Sequence, residues 1–242
     1  MKKHAILNWS SGKDSAYTLY KISKDSSINI KYLFTTINKE LDRISMHGVR
    51  TSLLMKQVES LGIELKVLNL PPEPTLAEYD LLMKQSLDGL KKEGIEYSVF
   101  GDIFLEDLRK YREEKLSEVG IKGLFPIWKI DSLELIKDFI KLGFKAKIVS
   151  ANAKYFDESF CGSDIDEEFL SRLPEGVDPC GENGEYHSFV YDGPIFNKPI
   201  EFELGEIVYK EFKPCNKDKE RCDKDCEKGK YDIGFWYADL IG

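Results

Sequence analysis

The clearest chemical signal lies in six small or charged residues near the start of the chain: Ser10, Ser11, Gly12, Lys13, Asp14 and Ser15. An apolar, strand-like segment at residues 5–9 leads into them, and a helical pattern follows. Backbone N–H groups in such a turn, serine hydroxyls and the positive end of the helix point at one spot, where an oxyanion supplies missing hydrogen-bond partners. Lys13 adds a compensating positive charge. The turn therefore predicts a phosphate-binding site, with an ordinary serine-capped turn between strand and helix as the alternative.

This turn differs from two common phosphate-binding motifs. A Walker A loop requires glycine five residues before Gly12 and serine or threonine directly after Lys13, but Leu7 and Asp14 stand there. No Gly-x-Gly-x-x-Gly follows a strand-like run either. The segment resembles the PP-loop, Ser-Gly-Gly-Lys-Asp-Ser, of the N-type ATP pyrophosphatases in the adenine nucleotide alpha hydrolase superfamily. It departs from that pattern at Ser11, which replaces a glycine, and serine tolerates a positive φ poorly.

A second candidate site segment, Gly101 and Asp102, comes directly after the strand-like run at residues 95–100. Ligands of open parallel sheets bind outside the carboxyl ends of the strands, so this segment is expected beside the phosphate turn. We expect Asp102 to bind a Mg²⁺ ion carried by triphosphate, or to orient a water in the shell of that ion. The alternative is that Asp102 only caps a helix at residues 105–119.

A third segment, containing His47 and Gly48, lies beyond the second strand-like run, at residues 30–37. It is expected at the same edge of the sheet, where we assign it to nucleotide binding. A single histidine is more often a hydrogen-bonded structural group than a ligand. The backbone of residues 46–49 is therefore the preferred candidate for the adenine site.

A dense polar cluster at residues 179–188 contains two carboxylates, Glu182 and Glu185, together with two glycines, an amide and a histidine. A simple turn would require only Asn183-Gly184, which is a strong hairpin signal. The extra carboxylates indicate a site for an amine, ammonia or a metal.

Taken in order, the motifs resemble the diphthine-ammonia ligase family across most of residues 4–205. The matching segments are Ser10 to Ser15, Met46-His47-Gly48-Val49, Gly101-Asp102-Ile103 with Arg109 and Arg112, Pro126-Ile127-Trp128, and Gly181 to His187. The resemblance implies a HUP-type, Rossmann-like nucleotide-binding domain followed by a smaller domain that holds the acidic motif. It also implies that the chain uses ATP to adenylate a carboxylate, the diphthine of elongation factor 2 in the family's known reaction, and then replaces AMP by ammonia.

The resemblance implies that Ser10, Gly12, Lys13, Asp14 and Ser15 bind the pyrophosphate part of ATP and that Asp102 lies by the phosphates. From the position of their segments, we also expect Ser11, His47, Gly48 and Gly101 to bind the nucleotide, with Mg²⁺ beside Asp102. The catalytic residues are Lys13, Asp14, Asp102, Glu182 and Glu185, with the two glutamates facing the substrate or ammonia. The partners are ATP and a carboxylate, which is protein-borne if the family activity holds, and a homodimer is left open.

Two other functions remain open on the same motifs. A PP-loop enzyme that thiolates tRNA also adenylates its substrate but relays sulfur through cysteines, for which Cys161 and Cys180 are candidates. The chain has no Cys-x-x-Cys pair and no basic RNA-binding face to support this function. A HUP protein that binds a nucleotide without turnover is the other alternative, although it leaves the acidic cluster unexplained.

The elements that must position these residues alternate between strand and helix. Apolar runs at residues 5–9, 30–37, 64–69 and 95–100 are separated by segments with apolar residues at helical spacing. This alternation predicts an α/β fold, a parallel sheet with helices on both faces. After about residue 150, extended segments near 186–191, 200–212 and 231–240 dominate. We therefore predict an ATP-binding domain at residues 1–135 and a smaller α+β domain at residues 136–242.

Composition excludes several classes of protein. The chain has 242 residues, of which 42% are hydrophobic and 12% aromatic, so it can bury a sizeable core. A net charge of −8 opposes broad binding to nucleic acid, because neutralising a phosphate backbone needs a basic face. No run is long enough for a membrane span or a secretory signal, and we predict a cytoplasmic protein.

The charged segment at residues 213–230 is predicted to be a solvated insertion between two strands. It carries Cys215, Cys222 and Cys226, three of the five cysteines. Their spacing matches no common structural zinc pattern, and no fourth ligand is evident. A solvated loop without metal is the preferred interpretation, and a zinc site is the alternative.

Overall fold

The structure is a computed structural model that describes residues 2–45, 47–212 and 233–242. A mostly parallel sheet comes first, with strands β4, β2, β1, β5 and β6 side by side and parallel, and β3 antiparallel to the end of β2. Its strands are β1 (Lys3–Asn8), β2 (Ile28–Asn38), β3 (Arg43–Ile44), β4 (Glu64–Leu70), β5 (Tyr97–Val99) and β6 (Lys122–Leu124).

Helices alternate with these strands, as the sequence predicts. They are α1 (Lys13–Ser23), α2 (Thr51–Leu61), α3 (Leu76–Lys92) and α4 (Glu106–Ser117), with α5 (Ser132–Lys141) after the last strand of this sheet. A further helix, α6 (Glu167–Arg172), comes later in the chain. Adjacent residues of β1 point to opposite faces of the sheet. Leu7 belongs to a buried cluster with residues of α1 and α2, and Ile6 to another with residues of α3 and α4. The predicted α/β fold with helices on both faces is confirmed.

The helix ends follow local sequence signals. Thr75 and Glu78 form a capping box at the start of α3, and the Asp131 side chain accepts the Glu134 N–H at the start of α5. The sequence left open whether Asp102 caps α4, the helix after β5. Its N-cap position is Leu105, which makes no side-chain cap, so Asp102 does not serve as that cap.

The second sheet is antiparallel, with strand order β8, β7, β10, β9. Its strands are β7 (Lys145–Asn152), β8 (Tyr186–Asp192), β9 (Glu203–Phe212) and β10 (Ile233–Ile241). The predicted domain division between residues 135 and 136 lies in α5, which connects the two sheets, and it stays a prediction. The cysteine-containing segment at residues 213–230 lies outside the described residues.

In the part of the chain that is described, none of the helices has the length and apolar character that crossing a bilayer demands.

The two sheets share one buried cluster and are joined by the side chain of Gln57 on α2, which is fully buried. Its Nε2 donates to the carbonyl of Val190 on β8 at 2.6 Å and to the carbonyl of Ser11 at 3.3 Å. Its Oε1 accepts the Trp9 indole N–H at 2.9 Å. One amide therefore satisfies polar groups from the first sheet, the phosphate turn and the second sheet.

We predict that Gln57→Leu lowers the free energy of unfolding by about 3 kcal/mol, because it leaves buried hydrogen-bonding groups without partners. Met55→Ala is the matched control on α2, since half of the Met55 side chain is exposed, and it should cost under about 0.5 kcal/mol. Urea unfolding of both variants measures the difference. Equal losses of unfolding free energy in the two variants would contradict the conclusion that Gln57 joins the sheets.

Candidate functional site

The predicted phosphate turn lies between the end of β1 and the start of α1. Gly12 is the N-cap residue, and its N–H donates to the Ser10 hydroxyl at 3.3 Å. The Ser15 hydroxyl donates to the Gly12 carbonyl at 2.9 Å and lies 3.2 Å from the Ser10 hydroxyl. Serine hydroxyls and the N-terminus of an eleven-residue helix thus converge on one point, as an anion site requires.

Ser11 adopts the left-handed conformation, with φ of 70°, although serine tolerates a positive φ poorly. Its carbonyl accepts the Val190 N–H of β8 at 2.9 Å in addition to the Gln57 amide. Its hydroxyl is buried and forms no hydrogen bond with any described residue. Tertiary hydrogen bonds therefore hold a non-glycine residue in a conformation that costs about 1–3 kcal/mol.

Lys13 is almost completely buried, with 2% of its side chain exposed. Its ammonium lies 2.8 Å from Asp14 Oδ2 and 5.0 Å from the centre of the Tyr186 ring. Burial lowers the pKa of Lys13, but the interactions with Asp14, Cys180 and Glu182 together outweigh this effect, and the pKa lies above its usual value. Lys13 is therefore a fixed positive charge beneath the phosphate turn.

Asp102 lies against the same turn from the neighbouring strand end. Its carboxylate pairs with Arg112 of α4, with Nε and Oδ2 2.7 Å apart. A Cβ on the adjoining Gly101 would lie 3.0 Å from backbone atoms of Asp14, so only glycine allows this close approach. Burial raises the pKa of Asp102, and Arg112 opposes that rise.

Glu182 joins the acidic cluster to this site, because its Oε1 accepts the Ile103 N–H at 2.7 Å. Burial raises the pKa of Glu182 to about 7, and the carboxylates of Asp14 and Asp102 add to the rise while the Ile103 N–H opposes it. A carboxyl group with this pKa exchanges protons near neutral pH, as general acid–base catalysis requires.

Glu185, in contrast, is buried and shapes the loop that carries Glu182. Its Oε1 accepts the Asp178 N–H at 3.1 Å and the Asn183 side-chain amide at 3.0 Å. Its Oε2 accepts the Asn183 N–H at 2.9 Å. Both oxygens therefore have protein partners. Asp178 supports the same loop by accepting the Glu182 N–H at 3.0 Å.

His47 lies against the phosphate turn, and a Cβ on Gly12 would come within 2.9 Å of its ring. The ring stacks on His187, with centroids 4.5 Å apart. Burial lowers the pKa of both imidazoles, that of His187 to about 4, so both are neutral near pH 7. His47 and Gly48 line a groove of about 830 Å³, together with Leu41, Arg43 and residues of the paired strands β9 and β10.

The segment around His47 is held by the C-terminal strand. Asp239 of β10 accepts hydrogen bonds from Arg43 Nη2 at 2.9 Å and from Arg50 Nε at 3.0 Å. Arg43 also donates to the Gly48 carbonyl at 2.6 Å. Charge-assisted hydrogen bonds of this kind fix the turn that presents His47.

The structure brings together most of the predicted site residues, and it adds three that sequence reasoning missed. Ser188 accepts the Lys13 N–H at 3.1 Å, Tyr186 lies beneath the Lys13 ammonium, and Asp178 supports the acidic loop. Arg109 points elsewhere: it pairs with Glu113 at 2.9 Å and covers the rings of Phe125 and Trp128. The signal for Ser188 and Tyr186 was their place in the polar cluster at residues 179–188, in which the sequence singled out only the two glutamates.

The residues of the turn fit a nucleoside triphosphate with its cation. The Ser11 hydroxyl, which can donate to phosphate, and the Asp14 Oδ1 atom, an acceptor that suits a cation, are shielded from solvent and have no hydrogen-bond partner among the described residues. Across residues 2–45, 47–212 and 233–242, no three His, Cys, Asp or Glu side chains form a group that would hold a metal by itself. Mg²⁺ binding by Asp102 stays a prediction, in which phosphate oxygens complete the ligand set.

Comparison with known proteins gives two matches to family domains. Residues 1–123 match the diphthamide synthase N-terminal domain, and residues 131–221 match the diphthamide synthase C-terminal domain. The diphthine–ammonia ligase of Schizosaccharomyces pombe is 31% identical over 119 residues, which are 44% of this chain and 20% of that protein. The Homo sapiens diphthine–ammonia ligase is 31% identical over 124 residues, 49% of this chain and 46% of that protein.

The chain thus spans less than half the length of each of these two ligases. Among solved structures, it is similar to a predicted subunit of tRNA methyltransferase from Methanocaldococcus jannaschii, with 14% identity and a TM-score of 0.43. That similarity covers 78% of this chain and 96% of the other.

We predict that Ser11→Gly is more stable than Ser11→Ala by about 1 kcal/mol, because both lack the hydroxyl and only alanine keeps a Cβ at positive φ. Thermal unfolding of the two variants at the same pH tests this, with a difference of about 2–4 °C expected for a chain of this size. An alanine variant as stable as the glycine variant would show that the left-handed conformation is not strained.

We predict that Glu182→Gln changes how stability depends on pH. The native pKa of about 7 lies above the ordinary value of 4.5, so stability from the protonated group is full below pH 4.5 and is lost as pH rises through 7. Relative to Glu182→Gln, the unmodified protein should lose about 1–2 kcal/mol between pH 5 and pH 8, after allowance for solvent screening. Urea unfolding at both pH values measures the loss.

The exposed Glu175 provides the control. Glu175→Gln should follow the pH profile of the unmodified protein. If Glu182→Gln follows it as well, the pKa of Glu182 is not raised.

Proposed function

The chain belongs to the diphthamide synthase family, and on this premise we propose that it is an ATP-dependent, AMP-forming amide ligase that joins ammonia to a carboxylate. The observation that carries the proposal is the hydrogen bond from the Ile103 N–H to Glu182, which holds this carboxyl group at the strand end beside the phosphate turn. A nucleotide-binding protein without turnover needs the turn alone. A carboxyl group with a pKa of about 7, hydrogen-bonded to the neighbouring strand end, adds the means to move a proton.

In the proposed first step, a carboxylate oxygen of the substrate attacks the α-phosphorus of ATP. The bond to the bridging oxygen breaks, and pyrophosphate leaves with the electron pair. Lys13 and the N-terminus of α1 stabilise the negative charge that gathers on the leaving group. Bound Mg²⁺ would supply further positive charge at the phosphates. The groove of about 830 Å³ beside His47 has ample volume for the adenosine half of ATP.

In the proposed second step, ammonia attacks the acyl carbon of the mixed anhydride, and AMP leaves. Ammonium at neutral pH must lose a proton before it becomes a nucleophile, and ionised Glu182 accepts that proton. A carboxylate by itself resists ammonia, since oxide is a poor leaving group, whereas adenylation turns that oxygen into part of AMP. No covalent enzyme nucleophile is required.

The names of the relatives supply the candidate substrate. Both are diphthine–ammonia ligases, and we propose diphthine, carried on elongation factor 2, as the carboxylate of this chain. Glu185 has a different proposed role from that of Glu182. Because its two oxygens accept hydrogen bonds from the loop itself, we assign it to positioning Glu182.

Sulfur transfer to tRNA receives no support from the two described cysteines. Cys161 and Cys180 are both buried, and burial raises the pKa of each thiol, that of Cys161 to about 12. A sulfur relay needs an exposed thiol that ionises readily.

We predict that Lys13→Met weakens ATP binding by about 10- to 100-fold and abolishes pyrophosphate release, because a charge-assisted phosphate contact contributes about 1.5–3 kcal/mol. Calorimetric titration of ATP and a pyrophosphate-release assay measure both effects. Lys110→Met changes an exposed lysine of α4 and should leave both unchanged. Unaltered ATP affinity in folded Lys13→Met protein would refute the phosphate-turn assignment.

We predict that Glu182→Gln separates the two halves of the reaction. The variant should bind ATP and release pyrophosphate normally but form amide at least 100-fold more slowly, since it lacks the general base. Quantifying AMP, pyrophosphate and amide with the protein substrate and ammonium tests this, with Glu175→Gln as the control. Loss of ATP binding would assign Glu182 to the nucleotide site, and normal amide formation would assign the acidic loop to structure alone.

A further inference from the structure

The second sheet has two edge strands, β8 and β9, and only one of them is covered. On the outer edge of β8, the Val190 N–H donates to the Ser11 carbonyl, and Gln57 donates to the Val190 carbonyl. β9 pairs with β10 on one side, and no described strand lies on its other side. Within residues 2–45, 47–212 and 233–242, no backbone hydrogen bond reaches this outer edge of β9. The roles assigned so far leave the edge unused.

β9 lacks several features that protect an edge strand from pairing. Natural edge strands are commonly short, interrupted by proline or rich in lysine. β9 has ten residues without a proline, and Lys210 is its only lysine. Three of its apolar side chains are exposed: Leu204 with 51% of its surface, Ile207 with 37% and Tyr209 with 46%. A strand with these properties is suited to pair with another strand.

The side chains of β9 divide between the two faces of the sheet. Glu206, Val208 and Lys210 line the groove beside His47. Adjacent residues of a strand point to opposite faces, so Ile207 and Tyr209 belong to the other face. Tyr209 packs on Trp236 of β10, with ring centroids 5.1 Å apart. A strand that pairs with β9 must therefore match charges on the groove face and apolar side chains on the other.

A second copy of β9 meets both requirements in one antiparallel register. Two copies related by a two-fold axis bring residues of the same face opposite each other. An axis at Val208 places Glu206 opposite Lys210 of the second copy, and Lys210 opposite its Glu206. On the other face, Ile207 lies opposite Tyr209 of the second copy. Cross-strand pairs of opposite charge, and of an aromatic with a β-branched residue, stabilise a sheet.

The neighbouring registers lack this match. An axis at Ile207 puts Glu203 opposite Glu211, and an axis at Glu206 puts two copies of Glu206 opposite each other. An axis at Tyr209 puts Ile207 opposite Glu211. Like charges directly opposite each other destabilise a strand pair. Charge complementarity therefore selects the register at Val208 and identifies a second copy of the chain as the occupant of this edge.

We propose that the protein forms a homodimer in which β9 pairs antiparallel with β9 of a second copy, about a two-fold axis at Val208. The two four-stranded sheets then form one continuous sheet. The dimer covers the exposed Ile207 and Tyr209. Because Glu206 and Lys210 line the groove, each copy brings these two charges to the border of the groove of the other. The inference concerns assembly and does not rest on the ligase proposal.

Sedimentation equilibrium without ATP tests the dimer, at about 0.15 M salt to screen the net charge of −8. A single strand pair forms a small interface, so we expect a dissociation constant of about 10 µM. Lys210→Glu and Glu206→Lys should each raise this constant at least tenfold, because each puts like charges opposite each other at two points. Lys110→Glu makes the same charge change as Lys210→Glu at an exposed position of α4 and should stay within twofold.

The double variant Glu206→Lys with Lys210→Glu tests the register itself. It restores opposite charges at both points, so it should dimerise within threefold of the unmodified protein. Circular dichroism identifies the variants that are folded. The proposal is overturned if the unmodified protein stays monomeric up to about 200 µM. It is equally overturned if folded Lys210→Glu and Glu206→Lys dimerise as tightly as the unmodified protein, or if the folded double variant is as weak as the single variants.

Discussion

The hydrogen bond from the Val190 N–H to the Ser11 carbonyl is the contact on which the site depends. It joins the phosphate turn of the first sheet to β8 of the second. The buried Gln57 amide reinforces this contact by donating to the carbonyls of Ser11 and Val190. Because the acidic loop leads directly into β8, fixing Val190 against the turn also fixes the loop. Glu182 thereby comes to lie beside Ile103, at the strand end next to the phosphate turn. In the sequence, about 80 residues separate Glu182 from Ile103.

The same contact explains how a serine occupies the position of a glycine in the PP-loop pattern that this turn resembles. The left-handed conformation of Ser11 is unfavourable in isolation. Here the peptide is held from two sides, by hydrogen bonds from β8 and from α2. Strain in the backbone is thus balanced by tertiary hydrogen bonds, as is common where a chain must present its donors in one fixed geometry.

Burial near the turn also sets the charges of the site. Lys13 keeps its proton because Asp14 lies 2.8 Å away, whereas Glu182 has no cation so close and faces two other carboxylates. The two groups therefore respond in opposite ways to the same shielding from water. One is a permanent cation suited to phosphate, and the other is a carboxyl group that exchanges its proton near neutral pH. Each suits a different half of the proposed reaction.

Local sequence signals predict much of the architecture. Alternating apolar runs and helical stripes predict the strands and helices, because burial of one face imposes a period of 2 or 3.6 on the chain. Asp131 with Glu134 predicts the start of α5 through the capping bond that the structure contains. The residues from Ser10 to Ser15 predict a phosphate turn, since hydrogen-bonding capacity and charge there are local properties. The pattern from Gly181 to Glu185 likewise indicates a polar loop before a strand.

Other features depend on contacts between distant segments, which a local pattern does not encode. The sequence groups Glu182 with Glu185, but the fold gives them different surroundings. Glu182 accepts the Ile103 N–H and has a raised pKa, whereas Glu185 accepts hydrogen bonds from its own loop. It offers Asp102 as a helix cap or a metal ligand, whereas the fold pairs it with Arg112. By itself the sequence determined the elements and the phosphate turn. Only the tertiary structure decided which carboxylates meet that turn and with what protonation, because both follow from burial and from long-range hydrogen bonds.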